Sequence, residues 1–432
     1  MKNFPRFALA MAGATLASLV LTTACIVTVH SADGMIVTSR EVASRVETHE
    51  LNLTPGETLR AETPYGNVTV RPATGTSGGR VRAEIQASGE DEAEANRRLA
   101  AVKLVIDEAG SGATLRLEVE PESTRRKLGG PTVTYEFEVP AGVRLELASS
   151  SGNVKVEKGA YGATTLKSSY GKVSVEGVTG DVTAESKSGD VHVAHVEQGA
   201  VTATSGYGNV SVLDVNGTDV RVKSSSGNLR VERVKGRELE AESGYGRLDL
   251  RDVTVEASAK ASSKSGDVIA NHLAARTASL ASGYGKVAID GGSGALELKT
   301  SSGNISAAAV EAAVSAQTGY GSVSLDGVFT SLAAASSSGD VRVTARPKSS
   351  VGDGWSLSSK YGAVALTAPQ DLGFVLSAKT GYGSIDVGYP IEIQPGGLGK
   401  DQKQLTGRVN GGGGTVKVET SSGNVAVKPE SR

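Results

Sequence analysis

Apolar and polar residues alternate along most of this chain, and a glycine interrupts the alternation about every nineteen residues. Two and four positions after nearly every such glycine stands Val, Leu, Ile or Ala, and three positions before it stands Ser or Thr. Alternation with period two on both sides of a glycine predicts two β-strands that meet at a tight corner. The corner glycines are Gly66, Gly152, Gly171, Gly189, Gly208, Gly227, Gly246, Gly266, Gly285, Gly303, Gly321, Gly339, Gly362, Gly383 and Gly423.

A fixed period of this length indicates a stacked repeat architecture. The pattern fits either a parallel solenoid, in which each repeat is one coil, or an antiparallel meander, in which each glycine is a hairpin turn. The recurring hydroxyl favours the solenoid, because Ser and Thr side chains in vertical register can bond to the next coil or to the corner backbone. We therefore predict an all-β fold, a parallel β-solenoid, with the right-handed coiling that is usual for parallel crossovers.

The size of one coil is left open by the residue that precedes the glycine. It alternates between Ser and Tyr from one repeat to the next, so the full sequence unit has about 38 residues. The narrow coil of about 19 residues suits the small inward-facing side chains, and a 38-residue coil would place Tyr above Tyr. We expect the narrow coil, with a corner glycine that has either a positive φ or a close backbone neighbour.

Four segments follow from the pattern. Residues 1–24 are predicted to be a lipoprotein-type signal peptide and residues 25–45 a tether. Residues 46–142 form a β-rich region with one helix at about 90–101. This helix begins with acidic residues that follow Ser88. Residues 143–432 form the solenoid, and we expect the final repeat to close its exposed end with polar residues.

The N-terminus is typical of an exported protein. A positively charged start and an apolar stretch lead to Leu21-Thr22-Thr23-Ala24-Cys25, which resembles a bacterial lipobox except that Thr22 replaces the usual Leu. We expect lipidation of Cys25 and a membrane-anchored lipoprotein that faces the periplasm or the cell surface. Ordinary signal cleavage and an uncleaved anchor are the alternatives. Cys25 is the single cysteine, which excludes an intrachain disulfide.

Composition narrows the class of function. The chain has 432 residues, 4% aromatic residues, 55 glycines and a formal net charge of -2. A nearly neutral chain without a basic block gives no basis for binding nucleic acid. The low aromatic content suits a thin core filled by small side chains.

The repeated Ser-Ser-Gly-Asn-Val and Gly-Tyr-Gly-Lys-Val units resemble the bacterial "putative adhesin" β-strand-repeat family, a domain of unknown function. The segment 135–142 that closes the helix-bearing insert, and the segment 407–412, carry the same resemblance. The resemblance covers about residues 45–430. The family is similar in pattern to auto-transporter adhesin head domains. The resemblance implies a β-solenoid at the cell envelope, and it supplies no catalytic residues.

Two groups of residues could carry chemistry, but each has a simpler explanation. His192 and His195 lie three apart, and on a strand they would point to opposite faces, so we expect no shared metal. Asp190, Asp267 and Asp340 recur at corners where other repeats have Asn, which suits a turn residue that caps its own backbone. We therefore predict no catalytic residue, no metal and no cofactor.

The tyrosines before alternate corner glycines are the candidate ligand-facing residues: Tyr207, Tyr245, Tyr284 and Tyr320. Their rings could stack on sugars or on a partner chain, or each could shield the corner backbone. The leading interpretation is a non-catalytic binding protein of the envelope whose partner is a polysaccharide or another surface protein. A polysaccharide-active β-helix enzyme and a regulatory scaffold that uses residues 71–140 are the alternatives. The ligand and the oligomeric state stay open.

Overall fold

The structure is a computed structural model that describes residues 41–108, 110–119, 130–399 and 401–430, together with the backbone of 20–23. Cys25 and most of the predicted signal peptide and tether lie outside these residues. The chain divides into two compact units, residues 1–162 and 163–432. The nearly all-β architecture predicted from the sequence is confirmed.

The first unit combines antiparallel strands, parallel strands and a short helix. It contains β1 (Val20–Thr23), β2 (Glu41–Glu50), β3 (Thr58–Thr63), β4 (Val68–Pro72), β5 (Arg80–Gly89), α1 (Glu92–Ala100), β6 (Val102–Asp107), β7 (Gly112–Val119), β8 (Thr132–Val139), β9 (Arg144–Ser149) and β10 (Val154–Val156).

Pairing in the first unit changes from antiparallel to parallel at β8. Strands β2, β5 and β8 pair antiparallel, whereas β4 lies between β8 and β10 and is parallel to both. The predicted helix is confirmed as α1: the Asp91 side chain accepts a hydrogen bond from the Glu94 amide at 2.7 Å, which caps its first turn. Ala95 and Leu99 are the buried residues of α1.

The second unit is a stack of β-coils. It contains β11 (Thr164–Ser168), β12 (Val173–Thr179), β13 (Val182–Ser186), β14 (Val191–Glu197), β15 (Val201–Ser205), β16 (Val210–Asn216), β17 (Asp219–Ser224), β18 (Leu229–Ser243), β19 (Leu248–Ser263), β20 (Val268–Ser282), β21 (Val287–Thr300), β22 (Ile305–Thr318), β23 (Val323–Ser336), β24 (Val341–Ala345), β25 (Trp355–Ser359), β26 (Val364–Ala368), β27 (Phe374–Thr380), β28 (Ile385–Val387), β29 (Ile391–Leu398), β30 (Gln404–Val409), β31 (Thr415–Thr420) and β32 (Val425–Pro429).

One repeat makes one coil. Strand β15 is parallel to both β13 and β17, and Ser205 lies in register with Ser186 on one side and Ser224 on the other. These serines are 19 residues apart, so the narrow coil is confirmed and the 38-residue coil is wrong. Like residues stack throughout the interior: Val191, Val210 and Leu229 form one continuous buried column.

The corner glycine is required by a close backbone contact rather than by a positive φ. A Cβ on Gly246 would lie 2.0 Å from the carbonyl oxygen of Gly227 in the preceding coil. The corner glycines of the second unit have no positive φ, so of the two expected reasons only the close approach applies there.

The last repeat does not end the stack, and this expectation was wrong. Strand β31 lies between β25 and β27, with Val416 in register with Trp355 on one side and Leu376 on the other. Strand β32 fills the matching place between β26 and β28. The physical reason is main-chain pairing: an inserted coil bonds on both sides, whereas a terminal coil leaves one edge open. The outer edge of β27 is paired instead by the antiparallel strand β30.

Candidate functional site

The predicted tyrosines point into solvent. Tyr207, Tyr245, Tyr284 and Tyr320 are 70–75% exposed, which is far more than a ring covering the corner backbone would be. The same corner position in other coils of the second unit holds three further exposed tyrosines, Tyr170, Tyr361 and Tyr382. We call these seven residues the tyrosine row.

Tyr and Ser alternate strictly in space along the second unit, even where they do not alternate along the chain. Tyr361 and Tyr382 belong to successive repeats, but the inserted last repeat places the Ser422 coil between theirs. Neighbouring rings of the row are therefore two coils apart, or about 9.6 Å at the usual strand spacing. A corner that carries serine lies between each two neighbouring rings. It leaves a gap between them, which we call a slot.

A glycine precedes five of the seven tyrosines of the row, whereas Ser169 precedes Tyr170 and Lys360 precedes Tyr361. Gly206, Gly244 and Gly283 precede tyrosines, and a Cβ on each would lie 2.1–2.2 Å from a carbonyl oxygen of the preceding coil. On the other side of the corner, the Asp190 carboxylate accepts a hydrogen bond from the Asn209 amide at 2.8 Å. These Asp and Asn residues lie at the corner as expected, but each caps the neighbouring coil, so the expectation that each caps its own backbone was wrong.

A second feature, which the sequence analysis missed, lies six residues after the corner glycine. At this position successive coils adopt a left-handed backbone with φ between 50° and 73°, although most of the residues are not glycine. A left-handed conformation costs an L-residue roughly 1–2 kcal/mol relative to glycine. We call this column the left-handed column: Gly177, His195, Asp214, Arg233, Asp252, His272, Gly291 and Ala309.

Side chains of the column pair with one another from coil to coil. Arg233 contacts both carboxylate oxygens of Asp214, with Nη2 at 3.0 Å from Oδ2, and the hydrogen bond raises the pKa of the guanidinium. The His272 ring nitrogen lies 3.1 Å from Asp252, and His195 lies 3.9 Å from Asp214. Such exposed pairs contribute little net stability, so they do not offset the backbone strain.

The left-handed column forms one wall of a groove with a volume of about 850 Å³. The opposite wall consists of the residues two positions after the left-handed column in each coil. They include Glu197, Lys235 and Glu311. Val196, Val215 and Leu273 lie beneath the walls, but they are 0–1% exposed and belong to the core. The groove crosses the seven coils from His195 to Ala309, a length of about 29 Å at the usual strand spacing.

The two histidines that the sequence analysis considered have different surroundings. His192 is half-buried with its Nδ1 at 3.2 Å from Ser211 Oγ, and burial lowers its pKa. His195 is exposed in the groove wall, 3.5 Å from the Glu176 carboxylate. In the part of the chain that the structure describes, no group of three or more His, Cys, Asp and Glu side chains could hold a metal ion.

The groove residues carried a readable signal. Aligned repeats show His, Asp, Arg, Asp and His six residues after five successive corner glycines, where the flanking repeats have Gly177 and Gly291. The alternation of apolar residues does not mark this column. Within this column Asp214 and Asp252 flank the basic Arg233.

A family model described as Toastrack DUF4097 matches this chain twice, over residues 57–271 and 260–428. No curated protein matches the sequence. Among the described residues, no helix is long and apolar enough to span a bilayer.

Two solved structures are weakly similar. One, described as a putative adhesin from Bacteroides fragilis, is 14% identical, covers 75% of this chain and 96% of its own, and has a TM-score of 0.23. The other, described as a putative cell adhesion protein from Clostridium sporogenes, is 9% identical, covers 89% of this chain and 100% of its own, and has a TM-score of 0.15. With TM-scores this low, neither structure indicates the function of this chain.

Proposed function

We propose that this chain, which belongs to the Toastrack DUF4097 family, is a non-catalytic, adhesin-like binding protein anchored in the cell envelope. One observation carries the proposal: the tyrosine row exposes seven rings at regular intervals along one corner of the second unit. Exposed aromatic rings in a contiguous array mark interaction surfaces, since tyrosine combines a large apolar face with a polar hydroxyl.

The regular spacing favours an extended partner. A compact ligand would need one or two rings, whereas a polymer that lies along the stack meets the same ring and slot repeatedly. Many weak contacts of this kind add up through multivalency. The partner that we propose is an envelope polysaccharide, whose sugar rings have apolar faces that stack on tyrosine and hydroxyls that bond to the polar corner.

The binding experiment replaces tyrosine with the residue that alternate coils already carry. In a triple variant, Tyr207, Tyr245 and Tyr284 each become Ser, which every intervening corner tolerates. We expect at least tenfold weaker binding to insoluble cell-wall polysaccharide in a co-sedimentation assay. A control variant with Ser188, Ser226 and Ser265 changed to Ala keeps all the rings and should bind like the wild type. If the tyrosine variant binds as tightly as the wild type, the tyrosine row is not the binding surface. If the wild type releases reducing ends from the polysaccharide, the protein is an enzyme and the proposal of a non-catalytic function is wrong.

Anchoring rests on the lipobox-like segment that precedes Cys25. Lipidation of this cysteine would hold the two units at the membrane surface, because an acyl chain partitions into the bilayer. The test is metabolic labelling with palmitate in the wild type and in Cys25→Ser. Label in the wild type alone is the expected result, and label that persists in Cys25→Ser rejects the anchor.

A further inference from the structure

The groove beside the left-handed column lies on a different part of each coil from the tyrosine row. Its wall is the stretch of five successive coils that place His195, Asp214, Arg233, Asp252 and His272 in a left-handed conformation. The same column accepts glycine at Gly177 and Gly291, so the fold does not require these side chains. Backbone strain that is retained where glycine would relieve it is typical of functional sites.

Stability does not explain the five residues. They are all at least partly exposed, and their mutual ion pairs lie in solvent, where such pairs contribute little. Substitution by glycine would relieve the strain and remove these pairs, together with those of His195 with Glu176 and of Arg233 with Glu232. The side chains are therefore retained for what they present to the groove.

The shape of the groove fits a linear ligand. It runs across seven coils and has polar side chains on both walls. A concave site with convergent polar groups is a usual place for a ligand. Its direction is along the stack, so an extended chain would meet one pair of wall residues per coil.

A peptide strand would not be held well. The main chain of β14, β16, β18 and β19 is already paired with the coils on both sides, so no open sheet edge is available for strand addition. Binding in this groove has to use side chains.

Charges of both signs follow one another along the groove, which disfavours a polymer of one strong charge. Arg233 and Lys235 lie near the middle of the groove, and Glu197 and Glu311 lie at its ends. Within the wall, Asp214 is bound by Arg233, and Asp252 has the Arg233 guanidinium and the His272 ring as neighbours. A polymer of one sign would meet side chains of its own sign, whereas neutral hydroxyl groups can bond to carboxylates and to guanidinium alike.

We propose that this groove binds an uncharged polysaccharide strand that lies along the stack, with its hydroxyls bonded to the left-handed column and to the polar side chains of the opposite wall. The site is distinct from the tyrosine row. Asp214 and Arg233, as a fixed planar pair, are the central hydrogen-bonding groups.

The test uses Arg233→Gly and Asp214→Gly in the full chain, with a soluble, uncharged glucan, the anionic polymer polygalacturonate and the cationic polymer chitosan as probes. We expect the wild type to bind the glucan, and both variants to lose at least tenfold in affinity while the midpoint of thermal unfolding stays equal or rises. A structural role of the ion pairs would instead lower that midpoint and leave the affinity of the remaining folded protein unchanged.

Two controls separate the groove from other surfaces. Arg221→Gln removes an exposed arginine whose partner is Glu240, outside the groove, and should leave glucan affinity unchanged. The triple tyrosine variant should also retain it. The groove proposal is wrong if the tyrosine variant loses glucan binding while both glycine variants keep it. It is also wrong if the wild type binds only the charged polymers, or none of the three probes.

Discussion

The Ser205 hydroxyl donates a hydrogen bond to the carbonyl oxygen of Gly189, 2.9 Å away in the preceding coil. Ser205 Oγ in turn accepts a hydrogen bond from the Gly208 amide at 2.9 Å in its own coil. One side chain therefore satisfies two main-chain groups at the corner and ties adjacent coils together. Because the coils of the second unit from Ser186 to Thr420 repeat the arrangement, a Ser or Thr is needed three residues before their corner glycines.

We expect Ser205→Ala to lower the free energy of unfolding by roughly 1–3 kcal/mol, since it leaves a buried donor and acceptor without their partner. Ser205→Thr is the matched control, because Thr300 and Thr318 make the same two bonds elsewhere in the stack. The measurement is urea denaturation of the two variants and the wild type. Equal stability of the Ala and Thr variants would show that the hydroxyl ladder is not a source of cohesion.

Gly246→Ala should be at least as damaging, by about 2 kcal/mol or more, because the new Cβ would lie 2.0 Å from Gly227 O and would force two coils apart. Gly352→Ala is the comparison, since the nearest atom there, Thr330 O, is 3.7 Å away at ordinary contact distance. Thermal unfolding of both variants distinguishes close packing from the general cost of changing a glycine. Similar melting temperatures would contradict the close approach.

Much of this fold could be predicted from the sequence, because the physical constraint acts on every coil alike. The corner glycine and the Ser205-type hydroxyl each repeat with the period of the stack, so their spacing indicates the coil size and the register. The position of the last repeat could not be predicted this way. Its sequence matches any serine-type coil, and only the pairing of β31 with both β25 and β27 shows where it inserts.

The sites were predictable to different extents. The tyrosines stand beside the corner glycine and follow its period, so they were found, and their exposure needed the structure. The left-handed column was missed because φ is not visible in a sequence when the residue is His, Asp or Arg. Gly177 and Gly291, at the same position in flanking repeats, were the available signal.

The inserted repeat predicts the effect of truncation. Removing residues 411–432 takes β31 and β32 away from the coils on both sides, so β27 and β28 lose their parallel partners. We expect amide hydrogen exchange to accelerate across 374–409 while the coils before β24 remain protected, because repeat proteins lose stability locally. Retained protection at 374–387 would mean that this coil can dock directly on β25 and β26.

Strain in the left-handed column can be measured at Ala309, which has a φ of 51° and no charged group to complicate the comparison. Ala309→Gly should raise the free energy of unfolding by up to about 1 kcal/mol, because relief of strain exceeds the entropy that glycine loses on folding. Ala308→Gly, one residue earlier and without a positive φ, should lower it. Thermal denaturation of the pair decides, and a loss of stability in both variants would show that the column is unstrained.

The half-buried His192 should make stability fall as the pH drops below about 6.5, the ordinary pKa of histidine. Burial first, and then the charge of Lys172, lower the pKa of its imidazole in the folded protein. The unfolded chain, with an ordinary histidine pKa of about 6.5, therefore binds the proton more readily. Stability is complete above that pKa and falls as the pH drops below it, until the folded protein also takes up the proton.

His192→Ser should reduce this loss, since the neighbouring coils have Ser174 and Ser211 in register with His192 and so accept the smaller side chain. Lys172→Gln should reduce the loss partly, because it removes the repulsion but keeps the burial. The measurement is the difference in unfolding free energy between pH 7.5 and pH 5 for the wild type and both variants. If the wild type and His192→Ser lose the same amount, burial of this imidazole does not couple folding to pH. A larger loss in Lys172→Gln than in the wild type would reverse the sign that the lysine charge requires.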